Sequence, residues 1–412
     1  MDITLLIFLL VYVAMGFGRI PWLKVDRTGA AIIGAMAMIV VGSISPKASW
    51  DSIDYSAVGM LFGLMVVSSA LVVSGFYAYA ARKMASLPVT PPVLLAVLTV
   101  TGGLLSAVLT NDVVVVAMTP LLVAVTLTRG LNPVPFLLGF CFAANAVSSG
   151  TLIGSPQNMI IAQGLDLSFM GFLRATAVPA LASLPIVWGI LVLLYRGRWT
   201  LQAPAAGAAQ PAAAPVPLDV GETLKAGVVT IAVVLAFIFS DWPRELIALA
   251  AAGLLLMSRR VSSHDLLKDV DGNLLLLIMG LFVVNAAMAA TGLPQMLLAE
   301  ARDLGLDLNS PFTLFWVGAI LSDVVSNNPA VMLLTPFLKP GADAEALGAA
   351  LALGTGFSSN LIVFGSLAGI IVVEQAAAKG VKISFGEFAR AGVPVTLACM
   401  VVAAGWILLL SA

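Results

Sequence analysis

Charge is scarce in this chain. Only 10% of its 412 residues are Asp, Glu, Lys or Arg, against roughly 25% in a soluble domain, while 60% are hydrophobic and the mean hydropathy is +1.07. That excludes an ordinary soluble domain. There is one histidine, His264, in the charged stretch RRVSSHDLLKD, and two cysteines, Cys141 and Cys399, lie far apart in apolar segments. No such spacing makes a metal or haem site. The net charge of −1 offers no basic surface for nucleic acid, and no G-x-x-x-x-G-K-[ST] loop points to ATP hydrolysis. Ser155 has no lysine or histidine base near it in its apolar segment, and Asp112 stands alone in its own and would need a second acid, so no catalytic constellation for an enzyme is expected.

What the chain does have is apolar stretches long enough to cross a bilayer core of about 30 Å. Spans are expected near 3–18, 28–44, 56–78, 134–163, 168–195, 222–240, 243–258, 272–298, 347–378 and 386–411. The first, ITLLIFLLVYVAMGFG, lacks the basic start and small-residue cleavage site of a signal peptide and reads as a retained span. Regions 91–128 and 311–338 are too long for one helix and are interrupted by polar residues, so each is expected to be a re-entrant hairpin. Its tip must be buried in protein or line a watery cavity, because unpaired backbone cannot face lipid.

With both regions re-entrant, the loops at 19–27, 79–90, 129–133, 196–221, 259–271 and 379–390 share one side. Together with Lys225 they hold 15 of the 20 lysines and arginines. The positive-inside rule makes that side cytoplasmic and puts both termini outside. The Ala- and Pro-rich stretch 199–221 reads as a cytoplasmic linker between two membrane halves, 1–198 and 222–412.

The halves echo each other. GLMVVSSALVVSG from Gly63 matches GLFVVNAAMAATG from Gly280, an offset of 217; TNDVVVVAMTP from Thr110 matches SNNPAVMLLTP from Ser326, an offset of 216; GSPQNMIIAQ from Gly154 matches GSLAGIIVVEQ from Gly365, an offset of 211. Five spans precede the linker, so matching parts run in opposite directions through the membrane. The expected fold is an all-α polytopic inverted repeat of two five-span halves, each with a re-entrant hairpin and a discontinuous helix, as in alternating-access secondary transporters.

A helix that stops in mid-membrane leaves orphan N–H groups at one new end and orphan carbonyls at the other. The first favour an anion or oxygen-rich solute, and the second can ligate sodium. Thr110, Asn111 and Asp112 at the first tip, and Ser326, Asn327 and Asn328 at the second, add short side chains that can cap or coordinate. The opposing breaks are expected in SSGTLIGSPQN, Ser148 to Asn158, and TGFSSNLIVFGS, Thr355 to Ser366. Asn111, Asn158, Asn327, Asn328 and Asn360, with Ser155 and Ser366, are therefore expected around one central substrate cavity. Thr110, Asp112 and Ser326 are expected at the coupling cation. Asp112 has two open roles: an intramembrane acid marks an ion path or proton relay, or it caps the restarting helix. Asp323 is a second, weaker coupling candidate.

These tips resemble the ion transporter superfamily of arsenite and antimonite permeases, citrate transporters and sodium-coupled dicarboxylate transporters. The resemblance covers nearly the whole chain apart from the linker and implies paired hairpins, a scaffold domain, a moving transport domain and a homodimer. Asn111-Asp112, Asn327-Asn328 and the GSLA at Gly365 to Ala368 are similar to the arsenite-permease branch, whereas the Ser-Asn-Thr tips of sodium-dicarboxylate carriers are absent. The implied activity is proton-coupled export of arsenite or antimonite across a bacterial inner membrane. The alternative is sodium-coupled transport of citrate, a dicarboxylate or another inorganic anion. Either way the coupling ion is H+ or Na+, no cofactor or nucleic acid is involved, and an ATPase subunit is an open partner.

Overall fold

A computed structural model describes residues 3–18, 23–201, 217–303, 305–339, 341 and 343–411. The expected linker lies largely outside the described residues, at 202–216. The described chain is helical, with one isolated bridge between Leu131 and Thr200. Seven of its helices have the length and apolar composition to cross a membrane, so this is an integral membrane protein.

The first ten helices are α1 (Ile3–Phe17), α2 (Arg27–Val40), α3 (Pro46–Asp51), α4 (Tyr55–Val73) and α5 (Phe76–Ala85), then α6 (Pro91–Val108), α7 (Asn111–Thr128), α8 (Pro133–Ser148), α9 (Pro156–Gly164) and α10 (Phe169–Leu194). The second ten follow the same order: α11 (Val220–Phe239), α12 (Arg244–Leu256), α13 (Ser263–Lys268), α14 (Gly272–Ala289) and α15 (Leu293–Asp303), then α16 (Pro311–Val325), α17 (Asn327–Leu334), α18 (Ala344–Ser358), α19 (Leu367–Ala378) and α20 (Phe385–Leu410).

Two expected spans are shorter than the sequence suggests. Segment 56–78 stops at Val73 and 272–298 stops at Ala289. In each case a left-handed glycine turns the chain, Gly75 at φ 79° and Gly292 at φ 72°, a conformation a side chain resists. The residues beyond it form the separate helices α5 and α15, whose last turns carry Arg82 and Lys83, or Arg302. Stretches 134–163 and 347–378 are broken as expected, into α8 with α9 and α18 with α19.

The packing crosses between the two sets. α4 lies on α12, and α14 lies on α2. A Cβ on Gly63 of α4 would stand 2.5 Å from the Ala248 carbonyl carbon, and one on Gly280 of α14 would stand 2.9 Å from that of Ala31. Both glycine and both alanine positions are related by the same offset of 217. Helices in lipid gain little from apolar burial against one another, so such close backbone approach through small residues is what holds them. At the centre, every residue of α8 is buried, as are Ala346 to Ser358 of α18; helices apolar all round belong inside. α6 packs on α8 as α16 packs on α18, and α10 and α20 pack against each other beside them.

The basic loops are tied to one another. Arg129 Nη2 donates to Val89 O at 3.2 Å, Asn132 N to Trp199 O at 2.8 Å, and Tyr195 Oη to Glu387 Oε1 at 3.1 Å. Asp219 N donates to Ser74 O, and the Asp219 carboxylate pairs with Arg260 at 3.2 Å. Thr28 Oγ1 donates to Asn273 O at 3.2 Å. At the other end, Ser56 donates to Glu245, Arg244 to Leu167 O, and Lys339 N to Asn309 Oδ1.

Candidate functional site

The site is built where helices stop. α6 ends at Val108, Leu109 and Thr110 are extended, and α7 restarts at Asn111. Thr110 is fixed by Ser68 of α4, whose hydroxyl accepts from the Thr110 N–H at 3.3 Å and its hydroxyl at 3.1 Å. Asn111 N donates to Gly154 O at 2.9 Å, which joins this tip to the break between α8 and α9. Its side-chain Nδ2 reaches Asn145 Oδ1 at 3.5 Å, while its own Oδ1 is buried with no donor among the described residues. Asp112 is half-buried in the first turn of α7. No hydrogen bond to its carboxylate occurs among the described residues, and the orphan N–H groups of the helix start place positive potential beside it.

The second tip is a single residue, Ser326, at φ 78° and ψ 160°, a region otherwise populated by glycine. α17 begins at Asn327, with Pro329 in its first turn, where the missing N–H costs nothing. Asn327 Oδ1 accepts from Ser322 at 2.5 Å and Ser359 at 3.1 Å, and its Nδ2 donates to Ser359 Oγ at 2.8 Å. Asn328 Oδ1 and Asp323 Oδ1 are buried without a donor. Asp323 lies against the second break, since a Cβ on Gly365 would come within 3.1 Å of its Oδ1.

The breaks converge through a residue the sequence reading did not single out. Asn145, buried in α8, donates from Nδ2 to Asn360 Oδ1 at 2.9 Å and to Ser366 Oγ at 3.0 Å. Asn360 in turn donates to Phe142 O at 3.0 Å, and its neighbour Ser359 holds Asn327. A polar chain thus runs from Asn111 through Asn145 to Asn360, Ser359 and Asn327. Ser366 also caps α19, accepting from Gly369 N at 3.0 Å. Asn158 turns its amide inward to its own break, donating to Ser148 O at 2.9 Å and Thr151 O at 2.7 Å. That leaves Asn158 Oδ1 and Ser155 Oγ buried without partners.

Asn145, Ser68, Ser322 and Ser359 are the network residues the sequence reading missed. Asn285 of α14 is another: it accepts from Tyr12 Oη at 2.9 Å and donates to Met332 O at 3.1 Å, tying α17 to α1 and α14. A polar residue inside an apolar helix is itself a signal, and Asn285 stands 217 residues after Ser68. No Lys, Arg or His takes part in these bonds, and the described residues hold no group of three His, Cys, Asp or Glu for a metal ion. Five buried oxygens without donors, on Asn111, Ser155, Asn158, Asn328 and Asp323, are costly unless a water, a cation or a hydroxylated solute satisfies them.

Residues 10–356 match the citrate transporter family. The chain belongs to that family. It is a transporter and not an enzyme, related to the wider ion transporter superfamily. An uncharacterised transporter of Mycobacterium tuberculosis is 30% identical over 419 residues, with 97% of both chains covered. The magnetosome protein MamN of Magnetospirillum gryphiswaldense is 27% identical over 410 residues, covering 89% of this chain and 90% of its own. The silicon efflux transporter LSI3 of Oryza sativa subsp. japonica is 35% identical over 179 residues, 43% of this chain and 37% of its own. The fold resembles the crystal structure of the Alcanivorax borkumensis YdaH transporter, with a TM-score of 0.59 over 99% of this chain and 95% of that one, at 17% identity.

Proposed function

We propose that this protein is a cation-coupled secondary transporter of a small oxygen-rich anion of the citrate or dicarboxylate kind, working by alternating access in a bacterial inner membrane. The family match favours a carboxylate over the arsenite that the tip motifs suggest. The observation that carries the site is the polar chain from Asn111 through Asn145 and Asn360 to Asn327, which joins both tips to both breaks. Buried amides, hydroxyls and helix ends bind carboxylate oxygens without a permanent cation, so the solute's negative charge is balanced by the coupling ion, H+ or Na+. Asp112 is that ion's carrier in this reading, since its carboxylate is free of capping bonds; Thr110 and Ser326 flank the ion, and Asp323 is a second acid at the opposite break.

The two halves, 1–198 and 222–412, form an inverted repeat in this reading, with the hairpins 91–128 and 311–338 re-entrant. The reciprocal Gly63–Ala248 and Gly280–Ala31 contacts support it, as do the bonds joining the two ends of each hairpin, Arg129 to Val89 and Lys339 to Asn309. The face with the basic loops is then cytoplasmic, and both termini are outside.

One observation favours a second reading, export of a neutral metalloid hydroxide such as arsenite. Apart from Asp112 and Asp323 the site is lined by neutral donors and acceptors, and part of the chain is similar to a silicon efflux transporter. Uptake into proteoliposomes with separately imposed sodium and proton gradients distinguishes the two. Labelled citrate or dicarboxylate should accumulate in a gradient-dependent way, and arsenite should not compete. In the same assay Asp112→Asn should remain folded and lose accumulation at least tenfold; full gradient-driven uptake in that variant refutes the coupling role.

A further inference from the structure

A second polar site lies well away from the breaks. Between the end of α10 and the start of α20 is a cleft of about 380 Å³, lined by Leu194, Tyr195, Arg198, Glu387 and Arg390. Tyr195 is 3% exposed and commits its hydroxyl proton to Glu387 Oε1 at 3.1 Å. The Arg198 guanidinium sits 5.0 Å from the Tyr195 ring centroid, a cation–π contact, and spends one nitrogen on Leu194 O at 2.5 Å. Arg198 and Arg390 both line the cleft with Tyr195. Neither arginine has a carboxylate within 4 Å among the described residues; the ion pairs there are Lys47–Asp51, Arg260–Asp219, His264–Asp265 and Arg302–Asp307. Two cations therefore face one cleft whose single carboxylate is already shared with a tyrosine.

The depth of the cleft says what fills it. α10 and α20 are each 26 residues long and apolar enough to cross a membrane, about 39 Å of helix against a hydrocarbon core of about 30 Å. Their ends overshoot the core by several ångströms and so reach the headgroup layer. Leu193 and Phe385, next to the cleft, are 72% and 54% exposed and give acyl chains an apolar wall to lie along. The ends of α10 and α20 thus carry exposed apolar side chains and exposed arginines together. Basic pockets between spans at this depth suit phosphate headgroups, and guanidinium groups grip phosphate oxygens in pairs.

We infer that Arg198 and Arg390, braced by Tyr195 and Glu387, bind the phosphate of an anionic phospholipid and so pin α10 to α20. The site is independent of what the central network carries.

The test places the full chain in nanodiscs of phosphatidylglycerol with phosphatidylcholine and measures lipid retention by native mass spectrometry and thermal stability at each composition. Wild type should retain phosphatidylglycerol in preference to phosphatidylcholine. Arg198→Gln with Arg390→Gln should weaken that preference roughly thirtyfold and each single change about fivefold, so the single variants carry the test if the double one does not fold. Arg196→Gln, an exposed neighbour outside the cleft, should leave it unchanged. An equal loss for Arg196→Gln, or no loss for the cleft variants, overturns the site. Protection by soluble glycerol phosphate as strong as that by the lipid overturns the lipid as its occupant.

Discussion

The Asn145–Asn360 bond is open to a direct energetic test. Both side chains are buried, at 3% and 1% exposure, and the 2.9 Å bond links α8 to the break after α18. Truncating Asn145 to Ala removes the donor to Asn360 Oδ1 and the acceptor of the Asn111 amide. A stranded buried polar group costs about 1–3 kcal/mol, so Asn145→Ala should destabilise by roughly 2–3 kcal/mol. That figure includes a cavity, which a double-mutant cycle removes. Interhelical hydrogen bonds in lipid have coupling energies averaging about 0.6 kcal/mol, with a ceiling near 1.7. As a direct bond between two buried amides, the pair should show a coupling between Asn145→Ala and Asn360→Ala of about 1 kcal/mol. Unfolding free energies of the wild type, both single variants and the double variant, measured in mixed micelles against a denaturing detergent, give this value. Asn145→Ala combined with Asn285→Ala, which share no partner, is the additive control. If Asn145 and Asn360 also add to within about 0.3 kcal/mol, the bond does not join the two breaks.

Other expectations follow from single positions. Ser326→Gly should stabilise the protein by about 1 kcal/mol, because Ser326 holds a φ of 78° that glycine adopts freely; Ser326→Ala should give no such gain in the same melting experiment. Gly356→Ala should cost about 1–3 kcal/mol, since a Cβ there would run into Ser149 Oγ, and Ser149→Ala should recover part of the loss in thermal unfolding. Cysteines at Val89 and Arg129 should both be labelled from the face that carries the basic loops, because the two residues are hydrogen bonded; labelling from opposite faces refutes the hairpin.

The breaks were legible because they carry their own chemistry. Thr110-Asn111-Asp112 and Ser326-Asn327-Asn328 are polar triplets in apolar surroundings, and Pro156 and the glycines around it mark the opposing interruption. The ends of α4 and α14 were not legible. Tyr77, Tyr79 and the alanines of α5 continue the apolar pattern past Gly75, and only the left-handed turn there reveals a second helix. Asn145 was hidden for a different reason. It lies in the last turn of α8, just before the polar stretch begins, with only alanines and a valine beside it at 143, 144, 146 and 147, and its partner is 215 residues away. Sequence patterns report local interruptions of a helix; they do not report which buried amide meets which. Similarly, Arg198 and Arg390 counted only as charges in two loops until the ends of α10 and α20 were seen side by side.

The exchange of partners between α4 and α12 also constrains how the chain can be made. Gly63 contacts Ala248, 185 residues further on, so at 5–20 residues per second the ribosome needs roughly 10 to 40 s to deliver the partner. Ala31 waits longer still, for Gly280. During that interval the nascent α2 and α4 must hold their small-residue faces against lipid or an insertion factor. A fragment ending in the middle of the chain should therefore reach the bilayer yet stay loosely assembled until the later helices arrive.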